Sequence, residues 1–384
     1  MLLIRNAKLY TMDDLGLLDG GDVLINGDKI AFVGMNLSAP GARVIDARGA
    51  YVTPGLVDAH SHIGMWEDGQ REETGDGNEE TDPVTPQMRA LDAINPVDRC
   101  FQDAVRAGVI TVATGPGSAN VLGGQFLAMK TAGSSLAGMV VKEPLAMKAA
   151  FGENPKSVYG KEGKRPKTRM ATAAILREAF IEAKEYLQKC ANPDPEKRPP
   201  RSLKLEALGM VLRRELPLKM HAHRADDILT AIRLAKEFNL LATIEHCTEG
   251  YRIADEVRAA GFGVILGPLI SERSKPELKN LTMEAPAILH RAGVKFALAT
   301  DHGVVPAQYL SVQAGLCVRE GLPEEIALRA ITIRAAEMIG LQDRVGSLRP
   351  NKDADVVLFN GHPLEARTRA SLVIANGNIV YEGA

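Results

Sequence analysis

This 384-residue sequence has almost no net charge: 46 lysines and arginines face 48 acidic residues, a formal charge of −2. A chain without a field of one sign has no broad means of holding nucleic acid or an anionic membrane, so neither is expected as a partner. Cysteine is scarce too. Cys100, Cys190, Cys247 and Cys317 lie too far apart for a zinc knuckle or a secreted disulfide framework, and a reducing cytoplasm is the simpler location. The N-terminus turns polar before a signal-peptide core could form, and no run reaches the roughly 18 apolar residues of a membrane span. Export and insertion are therefore not expected. Low-complexity segments and internal repeats beyond strand–helix alternation are also absent.

With 45% of its residues hydrophobic, the chain can bury a large core. Its length suits one barrel of about 250 residues plus a smaller unit. Near the start, short β-like runs at 2–9, 22–28, 29–33 and 43–45 alternate with turn signals. The end repeats that texture at 355–359 and 371–381, where Asn376-Gly377 is a strong hairpin signal. Residues 1–52 and 346–384 are thus expected to form one accessory β-sandwich domain.

Between them, over 53–345, short apolar runs alternate with helical segments. That alternation predicts the α/β class and a (β/α)8 TIM barrel of parallel strands. The strands are placed near 55–60, 109–115, 126–131, 145–150, 218–223, 241–247, 263–268 and 296–302. The clearest helix, 171–190, is stopped by the proline-rich stretch 192–200.

His60-Ser61-His62 follows the apolar run Gly55-Leu56-Val57-Asp58-Ala59. Two imidazoles two residues apart project to one side of a strand, and the carboxyl end of a barrel strand is where active sites sit. Alone, such a pair reads equally well as ordinary polar strand-end residues. Three later strands change the balance, because His221, His246 and Asp301 each close another apolar run. One buried histidine is usually satisfied by backbone hydrogen bonds, but that account would have to be repeated independently at each strand. Neutral imidazoles and a carboxylate are good ligands for a divalent transition metal.

The stretch Pro54-Gly55-Leu56-Val57-Asp58-Ala59-His60-Ser61-His62, with Asp353-Ala354-Asp355-Val356-Val357 near the end, resembles the amidohydrolase superfamily. The likeness is greatest to its imidazolonepropionase-like and isoaspartyl-dipeptidase-like branches and spans nearly the whole chain. It implies that His60 and His62 bind the more buried metal and that Asp301 touches it and shuttles a proton. His221 and His246 would take a second metal. A bridging lysine, carboxylated on its amine, would join the two; Lys148 resembles it in position, with Lys142, Glu143 and Glu153 as neighbouring candidates. Without a bridge the site resembles the mononuclear branch, in which His246 contacts substrate or water. The implied cofactor is one or two divalent ions per chain; zinc suits the ligands best, and iron, manganese or nickel could occupy them.

Other signals are weaker. His223 alternates with His221 and reads as a substrate contact, a replacement ligand or a hydrogen-bond partner behind one. Arg224 could fork onto a substrate carboxylate or simply be solvated. Gly123-Gly124-Gln125 is read as a loop before the third strand, and the acidic stretch 66–82 as either a mobile lid favouring cationic substrates or a solvated loop. The expected activity is hydrolysis of a C–N bond in a small polar molecule: a cyclic amide, an N-acyl amino acid or a dipeptide. Its rivals are deamination of a ring amine at the same site and a non-catalytic assembly role on the same fold. A homo-oligomer is compatible with the sequence.

Overall fold

The computed structural model describes residues 1–68, 74–133 and 135–383. Five strands open the chain: β1 (Leu2–Tyr10), β2 (Leu17–Asn26), β3 (Lys29–Met35), β4 (Arg43–Asp46) and β5 (Tyr51–Pro54). Eight more follow: β6 (Leu56–Ser61), β7 (Val109–Thr114), β8 (Leu122–Lys130), β9 (Val140–Ala150), β10 (Leu218–Ala222), β11 (Ala242–His246), β12 (Gly263–Leu266) and β13 (Phe296–Leu298). The chain closes with β14 (Val356–Phe359), β15 (Ala370–Ala375) and β16 (Asn378–Glu382).

The first five and last three strands share one hydrogen-bonded sheet, because β14 pairs antiparallel with β5, Val356 opposite Pro54. Ile4, Leu9, Val23, Ile25, Val356 and Ile374 bury its core. Between β15 and β16 the turn is Asn376-Gly377, with φ of 46° and 74°. Both residues are left-handed, as a two-residue type I′ hairpin requires.

The other eight strands form a second sheet in chain order from β6 to β13. It curls into a nearly closed barrel: past the end of β13, the Asp301 amide donates to the His60 carbonyl and the His62 amide to the His302 carbonyl, each at 3.0 Å. The expectation of all-parallel strands needs correcting at the third. β8 runs antiparallel to both β7 and β9. Residues 115–121, all that separate β7 from β8, are too few for a helical crossover, which takes about a dozen or more residues, so the chain turns back as a hairpin. This turn lies at the barrel end that carries the histidines, and the Gly123-Gly124 pair lies inside β8 instead of in a loop before it. The long helix Arg169–Cys190 forms as expected, opened by the Thr168 hydroxyl accepting from the Ala171 amide at 3.1 Å. Among the described residues no helix is long and apolar enough to cross a membrane.

Barrel and terminal sheet are joined by buried charge. Lys130, at the end of β8, is 1% exposed and holds Asp355 as well as Asp353, the latter at 3.1 Å. Asp353 also receives Lys29 at 2.6 Å and Arg344 at 3.0 Å. Removing one partner of a buried pair costs about 3–5 kcal/mol, whereas an exposed pair contributes about 0–1 kcal/mol. Lys130→Met is therefore expected to lower the urea midpoint far more than Lys29→Met, whose side chain is 41% exposed; equal shifts in a far-UV circular dichroism titration would disprove this.

Candidate functional site

Two clusters of possible metal ligands meet at the carboxyl ends of the barrel strands. His60, His62 and Asp301 form one, and His221, His223 and His246 the other; within each, the ligand atoms lie within 4.8 Å of one another. The rings of His60 and His246 are 5.0 Å apart, so the clusters adjoin.

Every imidazole is tied from behind through Nδ1. His62 Nδ1 lies 2.7 Å from the Gly115 carbonyl and His246 Nδ1 2.7 Å from the Gly267 carbonyl. His60 Nδ1 lies 2.5 Å from Glu245, His221 Nδ1 2.8 Å from the Ser118 hydroxyl, and His223 Nδ1 2.7 Å from that of Thr248. A carbonyl only accepts, so Nδ1 of His62 and His246 must carry hydrogen; in a neutral ring Nε2 is then a bare lone pair. Burial pushes His60, His221 and His223 well below the usual imidazole range, helped by the charge of Lys148 at His60 and by the neighbouring His246 at the other two. His246 is lowered by burial as well.

These lone pairs converge on another acceptor. Asp301 Oδ1 lies 3.0 Å from His62 Nε2 and 3.6 Å from His60 Nε2. Asp301 Oδ1 and His246 Nε2 are buried and have no hydrogen-bond partner among the described residues. Burial works to raise the Asp301 carboxyl, and positive charge on the side of His246, His62 and His60 holds it well below the usual range, a role that falls to a cation when those rings are neutral. Acceptors gathered this way in a buried site need a cation between them, which is how the residues fit a divalent ion. His246 and Asp301 also sit at left-handed φ, 67° and 54°. Such strain in non-glycine residues persists only where surrounding structure enforces it.

Lys148 is fully buried on β9, with Nζ 3.2 Å from His60 Nε2. Burial lowers its ammonium to about 8, although Asp301 and Glu245 oppose the shift. The neighbouring candidates are occupied elsewhere: Glu143 pairs with Arg89 at 2.8 Å, and Glu153 with Arg169 at 2.9 Å. Above the ligands opens a cavity of about 460 Å³ lined by Trp66, Asn78, Ser118, Asn154, His223 and Lys275 among others.

The sequence profile of the amidohydrolase family matches residues 51–381. The chain belongs to that family. A crystal structure of an amidohydrolase from Thermotoga maritima MSB8 is 43% identical, covers all of both chains and superposes with a TM-score of 0.96. Amidohydrolase tasK of Hapsidospora irregularis is 28% identical over 94% of this chain, which spans only 41% of that protein's length. The imidazolonepropionase of Mesorhizobium japonicum is 26% identical over 93% of this chain and 91% of its own.

In this amidohydrolase His223 lines the cavity, whereas the Arg224 guanidinium forks onto Asp226 at 2.9 Å through two nitrogens. Residues 69–73 of the acidic stretch lie outside the described residues; of its remainder, Trp66 stacks edge-on against His62 at 5.2 Å and Asn78 accepts from the Ala119 amide at 3.2 Å. None of its described carboxylates lines the cavity.

Sequence reading missed the groups that hold the ligands. Glu245 is fully buried, and besides His60 it binds Lys219 at 2.9 Å and the Thr243 hydroxyl. Asp58 receives the Thr300 amide at 3.3 Å and its hydroxyl, and the His60 amide at 3.3 Å. Burial pushes the Asp58 carboxyl up to about 7 despite those bonds. Their signal was a charged residue inside an apolar run, directly before a histidine or two residues ahead of one. Losing a hydrogen-bond partner behind a ligating histidine typically costs about 10–100-fold in metal affinity. Glu245→Gln is expected to weaken retention of a divalent ion by that factor in a chelator competition, and unchanged affinity would show that Glu245 does not orient His60.

Proposed function

We propose that this chain is a metal-dependent amidohydrolase that cleaves an amide or cyclic-amide C–N bond of a small polar substrate. The barrel of residues 53–345 carries the chemistry, and 1–52 with 346–384 form the accessory β-domain. The observation that carries the reading is the inward convergence of bare Nε2 atoms on the unpartnered Asp301 oxygen. His60, His62 and Asp301 would hold one divalent ion, and His221 and His246 a second, with zinc the best match to a nitrogen-rich set.

A divalent ion in such a site polarises a carbonyl and lowers the pKa of water to about 7. The rest falls to the chain's own groups. Asp301 takes the proton of the attacking water and delivers it to the departing nitrogen, so one carboxylate serves as base and then acid. No serine or cysteine nucleophile is needed, and the three buried cysteines support none: burial pushes Cys100, Cys247 and Cys317 to high pKa. Glu245 fixes the His60 tautomer, and the Gly115 and Gly267 carbonyls do so for His62 and His246.

Lys148, carboxylated on its amine, would supply oxygen ligands to both clusters. An amine must be neutral to attack carbon dioxide; the lysine nitrogen then gains a C–N bond and releases a proton. Its lowered pKa leaves a usable neutral fraction near pH 7. The product replaces a cation with two oxygen ligands.

Elemental analysis by inductively coupled plasma mass spectrometry tests the reading. Two divalent ions per chain are expected, falling in Lys148→Ala and largely lost in His60→Ala. Asp301→Asn is expected to cut amide hydrolysis by about 10²–10⁴-fold. Metal-free protein, or full turnover by Asp301→Asn, would refute the proposal.

A further inference from the structure

Beyond the ligand set, the cavity has a pronounced charge asymmetry. Among the described residues that line it, Lys275 is the one cation and Asp301 the one carboxylate. Lys275 lies in the loop after β12 and is exposed at the cavity, yet its ammonium has a fixed place: Nζ donates to Asn154 Oδ1 at 2.9 Å. The other end of that carboxamide, Asn154 Nδ2, lies 3.4 Å from His221 Nε2. One carboxamide therefore spans the gap between the ammonium and a histidine of the ligand set. The hydrogen-bond partner of Lys275 is a neutral oxygen, and an ammonium has three donors of which Asn154 takes one; Glu277, which feels the charge of Lys275, is buried outside the residues that line the cavity. Ser271 and Ser274 of the same loop add hydroxyls to this side of the cavity, and Trp66, Leu278 and Val304 supply apolar lining.

We propose that Lys275 anchors a substrate carboxylate, so that the molecule cleaved here is an N-acyl amino acid or a dipeptide instead of a neutral cyclic amide or ring amine. The inference rests on the hydrolytic reading above and names its substrate class. Lys275 attracts the carboxylate at a distance from the reacting carbonyl and so fixes which end of the substrate faces the metal ligands. The apolar lining takes the amino-acid side chain. None of the described carboxylates of the acidic stretch 66–82 lines the cavity.

The test uses the metal-loaded full-length chain with N-acetyl-L-leucine, N-acetyl-L-methionine, glycyl-L-leucine and the C-terminal amide of each. Wild type is expected to favour the free acids through KM by roughly 10–100-fold, the size of a charge-assisted hydrogen bond. Lys275→Met collapses that preference mainly in KM, and Lys275→Arg retains it. An equal preference in wild type and Lys275→Met, or a wild type that favours the amides, overturns the anchor while leaving hydrolysis standing. If nothing is turned over, thermal-shift titration with the same acids separates the two ideas. Binding by wild type but not by Lys275→Met keeps the anchor and sinks hydrolysis; absence of binding sinks the anchor as well.

Discussion

The seam between the first and last barrel strands is the constraint on which the site depends. Asp58 and Thr300 are 242 residues apart in sequence, and their contact, with the backbone bonds of Asp301 to His60 and His62 to His302, brings the barrel edges together. His60 and His62 belong to one edge and Asp301 to the other. Only when the ring closes do the lone pairs of two imidazoles face a carboxylate. The Asp58 carboxylate is fully buried and satisfied by groups from both sides, so opening the seam would leave a polar group without partners in an apolar interior.

From that geometry follow the electrostatics. Burial favours the neutral form of His60, His221, His223 and His246, which is the state a metal ligand needs, and burial also brings the Lys148 ammonium down to about 8. Two other buried lysines are paired with acids: Lys219 with Glu245, and Lys130 with Asp353 and Asp355. The first pair orients a ligand; the second fastens the barrel to the terminal sheet. These are separate uses of one rule, that a buried charge persists only beside its opposite.

The reversed strand β8 shows how local economy shapes the site. A hairpin replaces a helical crossover at 115–121, so the turn itself supplies the Gly115 carbonyl behind His62 and the Ser118 hydroxyl behind His221. Two candidate ligands on distant strands are thus oriented by one short turn. Phe126, on the same strand, lies 5.3 Å from the His60 ring and 5.6 Å from the Lys148 ammonium and helps exclude water from both.

By itself the sequence determined where the candidate ligands fall on the fold: apolar runs that end in His60, His221, His246 and Asp301 mark strand ends, and a strand end is local information. It likewise determined the Asn376-Gly377 hairpin and the helix before the proline-rich stretch, through turn and helix chemistry that needs no distant partner. The spacing of β7 and β8 also carried the hairpin, although the alternation of the surrounding segments pointed to a parallel strand. Only the tertiary structure decided which lysine lies beside His60, that Arg224 turns to Asp226, and that Glu245 and Asp58 stand behind the ligands. Each of those outcomes depends on what faces a side chain across the ring or on a loop beside it. That neighbour is set by strand order and closure, which at the barrel seam join residues 242 positions apart and leave no periodic trace in the chain.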